Sequence, residues 1–407
     1  MTVKQKKSQK VFVGMSGGVD SSVSAALLKK DGYDVTGVFI KVWQPDFVEC
    51  TWREDRLDAM RVCAKLHIPF FTLDLEKEYK KEVADYMIDE YKKGKTPNPD
   101  VMCNKYVKFG AFFDWAIKQG ADFVATGHYA RASKVLEDSS SEYGLAAQRE
   151  VNLKSRPRSS APESGHLWPV SACEASKNEL SSRTLPTQLL AGKDKNKDQS
   201  YFLWTLTQKQ LQKTLFPIGN TEKPEVRKIA KKLGLSTAEK KDSQGVCFLG
   251  KFDMKDFLNH YIKECLGKVL NEKGEVVGSH NGAIFLTIGQ RHGFKIIKKT
   301  NSSKPLFVIA KNLQKNTITV SENPVQDTGE SKEIEIEKVS WTGGVDPDLS
   351  KRYFARIRYR QTLLPCKIKK SVGSVVISFE ESQKAVSSGQ SLVIYDGEVC
   401  LGGGIIK

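Results

Sequence analysis

The sequence predicts an α/β protein in which a doubly wound parallel sheet is followed by a β-rich C-terminal part. Strand-like and helix-like segments alternate from Val11 to about Tyr129, as in parallel sheets covered by helices. A glycine-rich turn joins the first strand to the first helix. After about Thr300 short alternating strands replace the helices, which is typical of a small β-barrel or sandwich.

The first elements are predicted from apolar spacing and from turn residues. "KVFVGM" is a first strand, "SSVSAALLKKDG" a helix that ends at Gly32, and "DVTGVFIKVW" a second strand. "EDRLDAMRVCAKLH" is an amphipathic helix, with Leu57, Met60 and Ala64 expected on one face. "IPFFTLDL" and "ADFVATGHY" are further strands, separated by the charged helix "EKEYKKEVADYMIDEYKKG".

The middle of the chain changes character twice. Serine and proline accumulate without periodicity around residues 139–182, so we expect a flexible surface insertion at about 137–188. Order returns with "KPEVRKIAKKLGL", a helix with proline near its start and glycine at its end. The predicted domains are residues 1–250, 251–299 and 300–407.

Charge and cysteine content narrow the function classes. The 407 residues include 64 Lys and Arg against 48 Asp and Glu, a net charge of +16 that favours a polyanionic partner such as nucleic acid. No apolar run of about 18 residues predicts a membrane span. The eight scattered cysteines form no C-x-x-C pair, which argues against a zinc ribbon; no metal-binding cluster of protein side chains is predicted.

The turn "SGGVDSS" has the character of an anion cradle, yet it lacks the lysine of the common phosphate loop. Ser16, Gly17, Gly18 and Ser21 offer backbone N–H groups and hydroxyls at a helix N-terminus. Asp20 repels phosphate unless it binds a metal ion or a ribose. A second G-x-x-x-x-G-K pattern, at 245–251, is rejected because a phenylalanine follows it where Ser or Thr must bind Mg²⁺.

Two cysteines lie in polar loops with lysines nearby. Cys103 follows "TPNPD" near a helix start, where Lys105 and Lys108 are expected to favour the thiolate. Asp100, three residues earlier, is a candidate general acid or base. Cys247 lies in the loop "KKDSQGVCFLG", which we also expect to be electropositive. The alternative for either thiol is an inert buried cysteine.

The turn after the first strand resembles the PP-loop of the ATP pyrophosphatase superfamily, whose members cleave ATP between the α- and β-phosphates and adenylate an oxygen. Further motifs in chain order resemble the tRNA-specific 2-thiouridylase family: "TPNPD-x-x-CNK-x-x-KF", "ATGHYAR", "KDQSYFL", "P-x-VRKIA", "DS-x-G-x-CF-x-G", "T-x-GQR", and "RYRQT" through "LGGGII". The resemblance implies a PP-loop catalytic domain, a small central domain and a C-terminal β-barrel that binds tRNA.

This resemblance also implies an activity, which is the formation of 2-thiouridine at the wobble position of lysine, glutamate and glutamine tRNAs. ATP and Mg²⁺ are the implied cofactors, AMP and pyrophosphate the products, and a cysteine desulfurase or a sulfur relay the donor. Cys247 matches the cysteine that receives sulfur as a persulfide. Cys103 matches the nucleophile that releases sulfide or forms a disulfide with Cys247, and Asp100 matches the acid/base residue.

Binding positions carry over in the same way. Those implied for the nucleotide are Gly14, Met15, Ser16, Gly17, Gly18, Val19, Asp20, Ser21, Ile40 and Gly127. Those implied for tRNA are Asn98, Pro99, His128, Lys197, Asp198, Gln199, Arg358, Tyr359 and Gln390. Without the resemblance, a lone histidine such as His128 is read as a satisfied core residue, and the arginines of "YFARIRYR" as a solvated strand face.

Some features depart from the family pattern. Val42 and Trp43 stand where many members carry Asn-Trp, which affects the expected nucleotide or base contacts. The serine-rich insertion and the basic start "MTVKQKKSQK" favour a mitochondrial enzyme, with a cytoplasmic one as the alternative. Two other functions compete: a PP-loop ligase or amidotransferase acting on a small molecule, and a non-catalytic RNA-binding protein.

Overall fold

Eighteen β-strands and seven helical runs are seen in a computed structural model that describes residues 8–47, 52–134, 186–242, 247, 254–297, 304–323, 331–371, 374–384 and 386–407. The strands within these ranges are β1 (Lys10–Met15), β2 (Asp34–Lys41), β3 (Phe70–Asp74), β4 (Phe123–Ala125), β5 (Ala130–Lys134), β6 (Thr187–Ala191), β7 (Thr214–Leu215), β8 (Gly267–Leu270), β9 (Val276–His280), β10 (Phe294–Ile296), β11 (Phe307–Asn312), β12 (Thr317–Ser321), β13 (Ser331–Trp341), β14 (Tyr353–Arg356), β15 (Leu364–Ser371), β16 (Ser374–Gln383), β17 (Ser391–Asp396) and β18 (Val399–Ile406).

Two of the helical runs contain a wider π-helical stretch. The runs are α1 (Val19–Lys30), α2 (Trp52–Lys65), α3 (Glu76–Tyr79, then π-helical Lys80–Asp85, then Tyr86–Lys92), α4 (Pro99–Met102, then π-helical Cys103–Phe112, then Phe113–Lys118), α5 (Gln208–Leu211), α6 (Lys223–Lys232) and α7 (Met254–Asn259). Short 3₁₀ turns occur at Ser200–Phe202 and Ala283–Phe285. Within the described ranges, no helix combines the length and the apolar character needed to cross a membrane.

The predicted doubly wound sheet is confirmed. Five parallel strands lie in the order β3-β2-β1-β4-β7. Separate apolar cores cover its two faces: Phe12 and Val124 belong to the core formed with α3 and α4, whereas Val11 and Val13 pack in the core formed with α1, α2 and α6. Alternate residues of β1 therefore face opposite helical layers, which is why this strand is apolar from Val11 to Met15.

The buried face predicted for α2 was wrong. Met60 is 38% exposed, and the residues that α2 buries are Ala59, Val62 and Cys63. The reason is close packing against β2, since a Cβ on Gly37 would lie 2.4 Å from the Cys63 sulfur. Small residues at a 3–4 spacing carry a weaker apolar signal than leucine and methionine, although they allow the closer approach.

A second sheet forms the central part of the chain, with the order β10-β9-β8-β12-β11. Strands β11 and β12 pair with each other, and β12 pairs with β8, so residues 307–321 belong to this sheet. The domain boundary predicted at residue 300 was therefore wrong at this point. Short alternating strands look alike in sequence, and only their partners assign them to a sheet.

The predicted C-terminal β-barrel is confirmed. Strands β13, β16, β15, β14, β17 and β18 follow one another around the barrel, and pairing of β13 with β18 closes it. Strand β6 then pairs with β18, and β5 extends the same sheet, although both strands come from the N-terminal half of the chain. The N-terminal half of the chain and the barrel therefore share one sheet. The predicted serine-rich insertion lies almost entirely outside the described residues.

A buried ion pair ties the two halves together where they share this sheet. An Arg356 Nη on β14 lies 2.7 Å from Asp198 Oδ2, and both side chains are less than one-tenth exposed. The same carboxylate accepts the backbone N–H groups of Gly192 and Ser200 at 3.0 Å each. The charge of Asp198 thus serves the fold of the protein itself.

We predict that Asp198→Ala lowers the free energy of unfolding by about 3–5 kcal/mol, because it leaves the Arg356 guanidinium buried without a counter-charge. The measurement is urea denaturation followed by tryptophan fluorescence. Lys195→Ala is the control, since Lys195 and Glu398 form an exposed pair at 2.9 Å and such pairs contribute less than about 1 kcal/mol. Equal losses in both variants would contradict the assignment.

Candidate active site

The phosphate-loop motif forms a tight turn between β1 and α1. Ser16 donates its N–H to the Ser21 hydroxyl at 3.1 Å, and that hydroxyl donates to the Gly18 carbonyl at 3.2 Å. Gly17 has a φ of +71°, and a Cβ there would lie 2.2 Å from the Asp55 carbonyl oxygen, so only glycine fits. The first N–H groups of α1 therefore face an open concave turn that suits an anion.

This turn lies at the point of the sheet where the strand order reverses. Strand β1 pairs with β2 on one side and with β4 on the other, so the carboxyl ends of β1 and β4 border a crevice. Gly127, just after β4, approaches so closely that a Cβ would lie 2.7 Å from the Ser21 nitrogen. The structure thus brings Gly127 to the turn formed by residues 14–21. Ile40, 3% exposed, lies in the core at the end of β2.

A lysine from a helix distant in sequence forms an ion pair with Asp20. Lys223 Nζ lies 2.8 Å from each Asp20 carboxylate oxygen, and the Tyr129 hydroxyl donates to Asp20 at 2.7 Å. Sequence analysis missed Lys223 because the motif around it predicted only a helix. A usable signal existed: a lysine in the first turn of a helix opposes the helix dipole, and its presence there indicates a fixed anionic partner.

A second carboxylate extends this charge network. Asp242 accepts from Lys197 and Arg227 at 2.7 Å each and lies 2.9 Å from Lys223 Nζ. Burial alone would raise the pKa of Asp242, but the hydrogen bonds from Lys197 and Lys223 lower that pKa far below its usual value. Lys197, expected to contact tRNA, is therefore held by Asp242 in this structure.

The two predicted catalytic cysteines lie together. The Asn98 side chain accepts the Val101 N–H at 3.3 Å and caps α4, which places Asp100 in the first turn and Cys103 just after it. Asp100 Oδ1 accepts the Cys247 N–H at 2.8 Å, and the Tyr79 hydroxyl donates to the Cys247 carbonyl at 2.7 Å. Both thiols are reduced, and their side chains are hydrogen-bonded to each other.

The protonation of this pair differs from the expectation for Cys103. Burial and the hydrogen bond to Cys247 raise the pKa of the Cys103 thiol well above its usual value, so the predicted Cys103 thiolate was wrong. The hydrogen bond from Cys103 outweighs burial and, with the charge of Lys108, lowers the pKa of Cys247 to about 7. Cys103 is fully buried in the core, whereas its expected neighbour Lys105 lies over the Tyr106 ring.

Lys108 is the cation of the cysteine site. Burial would lower the pKa of Lys108, but the Cys247 and Cys103 sulfurs and Asp100 raise it overall. Burial is also the main cause of the raised pKa of Asp100, against the Cys247 N–H and Lys108. The expected electropositive lysine of the Cys247 loop, Lys240, instead pairs with two carboxylates, Asp55 at 2.7 Å and Asp58 at 2.6 Å.

His128 lies between the phosphate turn and the residues around the cysteines. It follows Gly127 directly, and its Nδ1 lies 2.8 Å from the Thr126 hydroxyl. Burial and then Lys108 hold the pKa of His128 well below its usual value, so the imidazole is neutral. Tyr79 is the residue of this site that sequence analysis missed outright, since a fully buried tyrosine in a charged helix is indistinguishable from a core residue.

Six of the nine residues expected to contact tRNA fall into two groups. Asn98, Arg358, Tyr359 and Gln390 line one cavity of about 300 Å³. Asp198 and Gln199 are instead used within the protein, because Gln199 Oε1 accepts the Tyr129 N–H at 2.9 Å and Asp198 pairs with Arg356. Arg356, the first arginine of the segment that the sequence alone assigns to a solvated strand face, is buried, whereas Arg358 and Arg360 are exposed.

Family models match three successive parts of the chain. Residues 9–155 and 164–251 match the tRNA methyl transferase HUP domain, 255–322 the tRNA methyl transferase PRC-barrel domain, and 331–406 the aminomethyltransferase β-barrel domain. The HUP-type match agrees with the parallel sheet and its phosphate turn, and the last match with the closed six-stranded ring.

Curated relatives match the whole chain. A protein of Halalkalibacterium halodurans named tRNA-specific 2-thiouridylase MnmA is 42% identical over 413 residues, covering 100% of this chain and 96% of that protein. Proteins of the same name from Pseudomonas syringae and Streptococcus thermophilus are 40% and 41% identical, each covering 98% of this chain and 94% and 95% of their own length. The chain therefore belongs to the tRNA-specific 2-thiouridylase family.

Proposed function

We propose that this protein is a tRNA 2-thiouridylase, which replaces O2 of the wobble uridine with sulfur and releases AMP and pyrophosphate. The observation that carries the proposal is a chain of contacts between two half-sites. Gly127 touches the start of α1, His128 follows it and lies near Lys108, and Lys108 lies beside Cys247. A phosphate cradle and a reactive thiol thus serve one crevice.

The cradle supplies the ATP half of the reaction. The N–H groups at the start of α1 bind polyphosphate oxygens, and Lys223 provides the cation that the loop motif lacks. Mg²⁺, when bound, neutralises phosphate charge, and Asp20 is the side chain that would hold it. Among the described residues, no group of three or more His, Cys, Asp or Glu side chains is placed to hold a metal ion.

Activation of the uridine is needed because a uracil oxygen is a poor leaving group. The O2 atom attacks the α-phosphorus of ATP and pyrophosphate departs, so that O2 leaves later as part of AMP. The target uridine must first leave its stacked position in the anticodon loop to reach the crevice. Neutral His128 borders this region and is suited to hydrogen bonding without adding charge.

The cysteine pair supplies the sulfur half. Cys247, the more acidic thiol, takes one sulfur atom from a donor and becomes a persulfide. Attack of Cys103 on the Cys247 sulfur forms a disulfide between them and transfers the outer sulfur, as sulfide, to C2 of the uridine while AMP leaves. The two electrons that reduce this sulfur come from the two thiols, so a thiol reductant must restore the pair before another turnover.

The groups around Cys103 and Cys247 move the protons that the sulfur transfer requires. Cys103 starts as the protonated partner and must lose its proton to attack. Asp100 lies within the same cluster, and burial raises its pKa, which makes this carboxylate a better proton acceptor than an exposed one. Its contact with the Cys247 N–H also holds the thiol in place, so Asp100 has a positioning role that acid/base chemistry alone does not require.

The partners follow from the same proposal. The tRNA set consists of the lysine, glutamate and glutamine acceptors, and the sulfur donor is a cysteine desulfurase or a relay protein. Mitochondrial localisation remains part of the proposal, motivated by the basic start and the serine-rich insertion of the sequence. The competing small-molecule ligase predicts AMP formation without tRNA, and the non-catalytic RNA-binding protein predicts none.

The direct test is thiolation of unmodified tRNA transcripts with Mg²⁺-ATP and a desulfurase–cysteine mixture, read by mercury-affinity gel shift and mass spectrometry. We expect ATP-dependent 2-thiouridine from the wild type and none from Cys247→Ala or Cys103→Ala. Cys265→Ala, at an exposed cysteine, is the control and should keep wild-type activity. AMP release without tRNA, or thiolation by Cys247→Ala, would contradict the proposal.

A second prediction concerns Lys223, which brings a cation to the phosphate turn from a helix distant in sequence. Lys223→Met should lower the rate of AMP formation by about 100-fold, because it removes a buried cation from the phosphate turn. Lys228→Met is the matched control on the same helix, since Lys228 is 76% exposed and pairs only with Glu225 among the residues that the structure describes. Similar activity in the two variants would show that Lys223 serves only to neutralise Asp20.

A third prediction concerns the protonation of Cys247. Its alkylation rate should rise with a midpoint near pH 7, because the thiolate reacts and the pKa of Cys247 is about 7. Cys103→Ala removes the hydrogen bond that stabilises this thiolate, so the pKa rises and the midpoint moves to higher pH. Peptide mass spectrometry after iodoacetamide pulses measures both. Cys265 serves as the internal reference, and an unchanged Cys247 midpoint would refute the contact.

A further inference from the structure

Lys223 lies between two carboxylates that belong to different parts of the chain. Its Nζ lies 2.8 Å from each Asp20 oxygen at the phosphate turn and 2.9 Å from Asp242 Oδ1. The Lys223 side chain is only 10% exposed, so these carboxylates take the place of water around its charge. Its backbone N–H donates to Asp194 at 3.0 Å, which fixes the start of α6 as well. The lysine therefore has two anionic partners, one inside the phosphate turn and one outside it.

Asp242 is anchored independently of the phosphate turn. Lys197 Nζ lies 2.7 Å from Asp242 Oδ2, and Arg227 donates to Asp242 Oδ1 at 2.7 Å. Arg227 follows Lys223 by about one turn of α6, and it also donates to two backbone carbonyls of the segment 238–242, at 2.8 and 3.0 Å. These contacts tie the segment to α6 and fix the distance between Asp242 and Lys223.

Asp20 is the partner that nucleotide binding must change. It lies in the first turn of α1, and Lys223 donates to both of its carboxylate oxygens. When Asp20 holds Mg²⁺, the charge of the metal ion repels the ammonium group of Lys223 at this distance. Lys223 must therefore exchange Asp20 for a phosphate oxygen, whereas its contact with Asp242 lies outside the exchange.

Asp242 then determines how well the position of Lys223 is defined. Lysine has a flexible four-carbon stem, and a lysine without an anchor samples many rotamers. The contact with Asp242 keeps the Lys223 ammonium group in the surroundings of the phosphate turn throughout the exchange. A cation that is fixed before the reaction stabilises charge in the transition state without a cost in reorganisation.

We propose that Asp242 is a positioning residue for the ATP half of the reaction, which holds Lys223 at the phosphate turn while Asp20 exchanges this lysine for Mg²⁺-ATP. The inference rests on the proposed function, which it deepens by giving the motif "DS-x-G-x-CF-x-G" a task in each half of the reaction. Asp242 opens this motif and serves adenylation, and Cys247, five residues later, serves sulfur transfer.

The test compares the wild type with Asp242→Asn, which keeps the side-chain shape and removes the charge. Two quantities are measured: the single-turnover rate of AMP formation at saturating Mg²⁺-ATP and tRNA, and the affinity for Mg²⁺ and α,β-methylene-ATP by calorimetry without tRNA. We expect the rate to fall by about 10-fold, because a group that acts in the transition state is misplaced. The affinity should not weaken, since loss of a negative charge beside a polyphosphate favours its binding.

The Lys223→Met background shows whether Asp242 acts through the lysine. If it does, adding Asp242→Asn to Lys223→Met should slow AMP formation further by less than about 2-fold. A 10-fold loss in both backgrounds would overturn the inference, and so would an Asp242→Asn variant that forms AMP at the wild-type rate. A variant that binds the analogue more weakly but keeps the wild-type rate at saturation would also overturn it. None of these outcomes touches the proposed function.

Alkylation of Cys247 separates positioning of Lys223 from a purely structural role of Asp242. Asp100 and Tyr79 hold Cys247 through its backbone, so its rate of reaction with iodoacetamide should be the same in Asp242→Asn and the wild type. A changed rate would show that Asp242 only anchors the segment that leads to Cys247, and would overturn the inference.

Glu239→Gln is the matched control for the loss of a carboxylate from the same segment. Glu239 also pairs with α6, through Lys231 at 2.7 Å, but it is 77% exposed. This variant should form AMP at the wild-type rate, and a loss equal to that of Asp242→Asn would overturn the inference. A wild type that forms no AMP from ATP and tRNA would overturn the function, and the inference with it.

Discussion

The close approach of Gly127 to the start of α1 is the constraint on which the site depends. It forces the chain after β4 against the phosphate turn and leaves no room for a side chain between them. The next residue, His128, is thereby placed between the turn and Lys108. This backbone contact therefore brings the phosphate turn near the residues that surround the two cysteines.

Around this contact, the protein controls charge by pairing buried groups rather than by exposing them. The carboxylate of Asp20 would repel ATP, but Lys223 and Tyr129 both contact this carboxylate. Asp242 in turn pairs with Lys223. At the cysteines one thiol keeps its proton and donates it in a hydrogen bond to the other. Each arrangement fixes the position and the partner of an ionisable side chain.

Sequence analysis predicted the parts of this protein that depend on local pattern. The order of strands and helices around the parallel sheet, the turn at residues 14–21 and the family all followed from motifs or periodicity. It failed where partners decide the outcome. Contacts between residues far apart in sequence decide the proton on Cys103, the pairing of Lys223 with Asp20 and the hydrogen bond from Tyr79 to Cys247. They also decide which sheet β11 and β12 join.

The shared sheet has a mechanical consequence. Gly127 touches the phosphate turn, and β5, which extends the barrel's sheet, begins at Ala130, three residues later. Three residues span at most about 10 Å, so the start of β5 stays close to the phosphate turn. A displacement of the barrel's sheet by a bound RNA is therefore passed through β5 to Gly127, and from Gly127 to the phosphate turn at the nucleotide site.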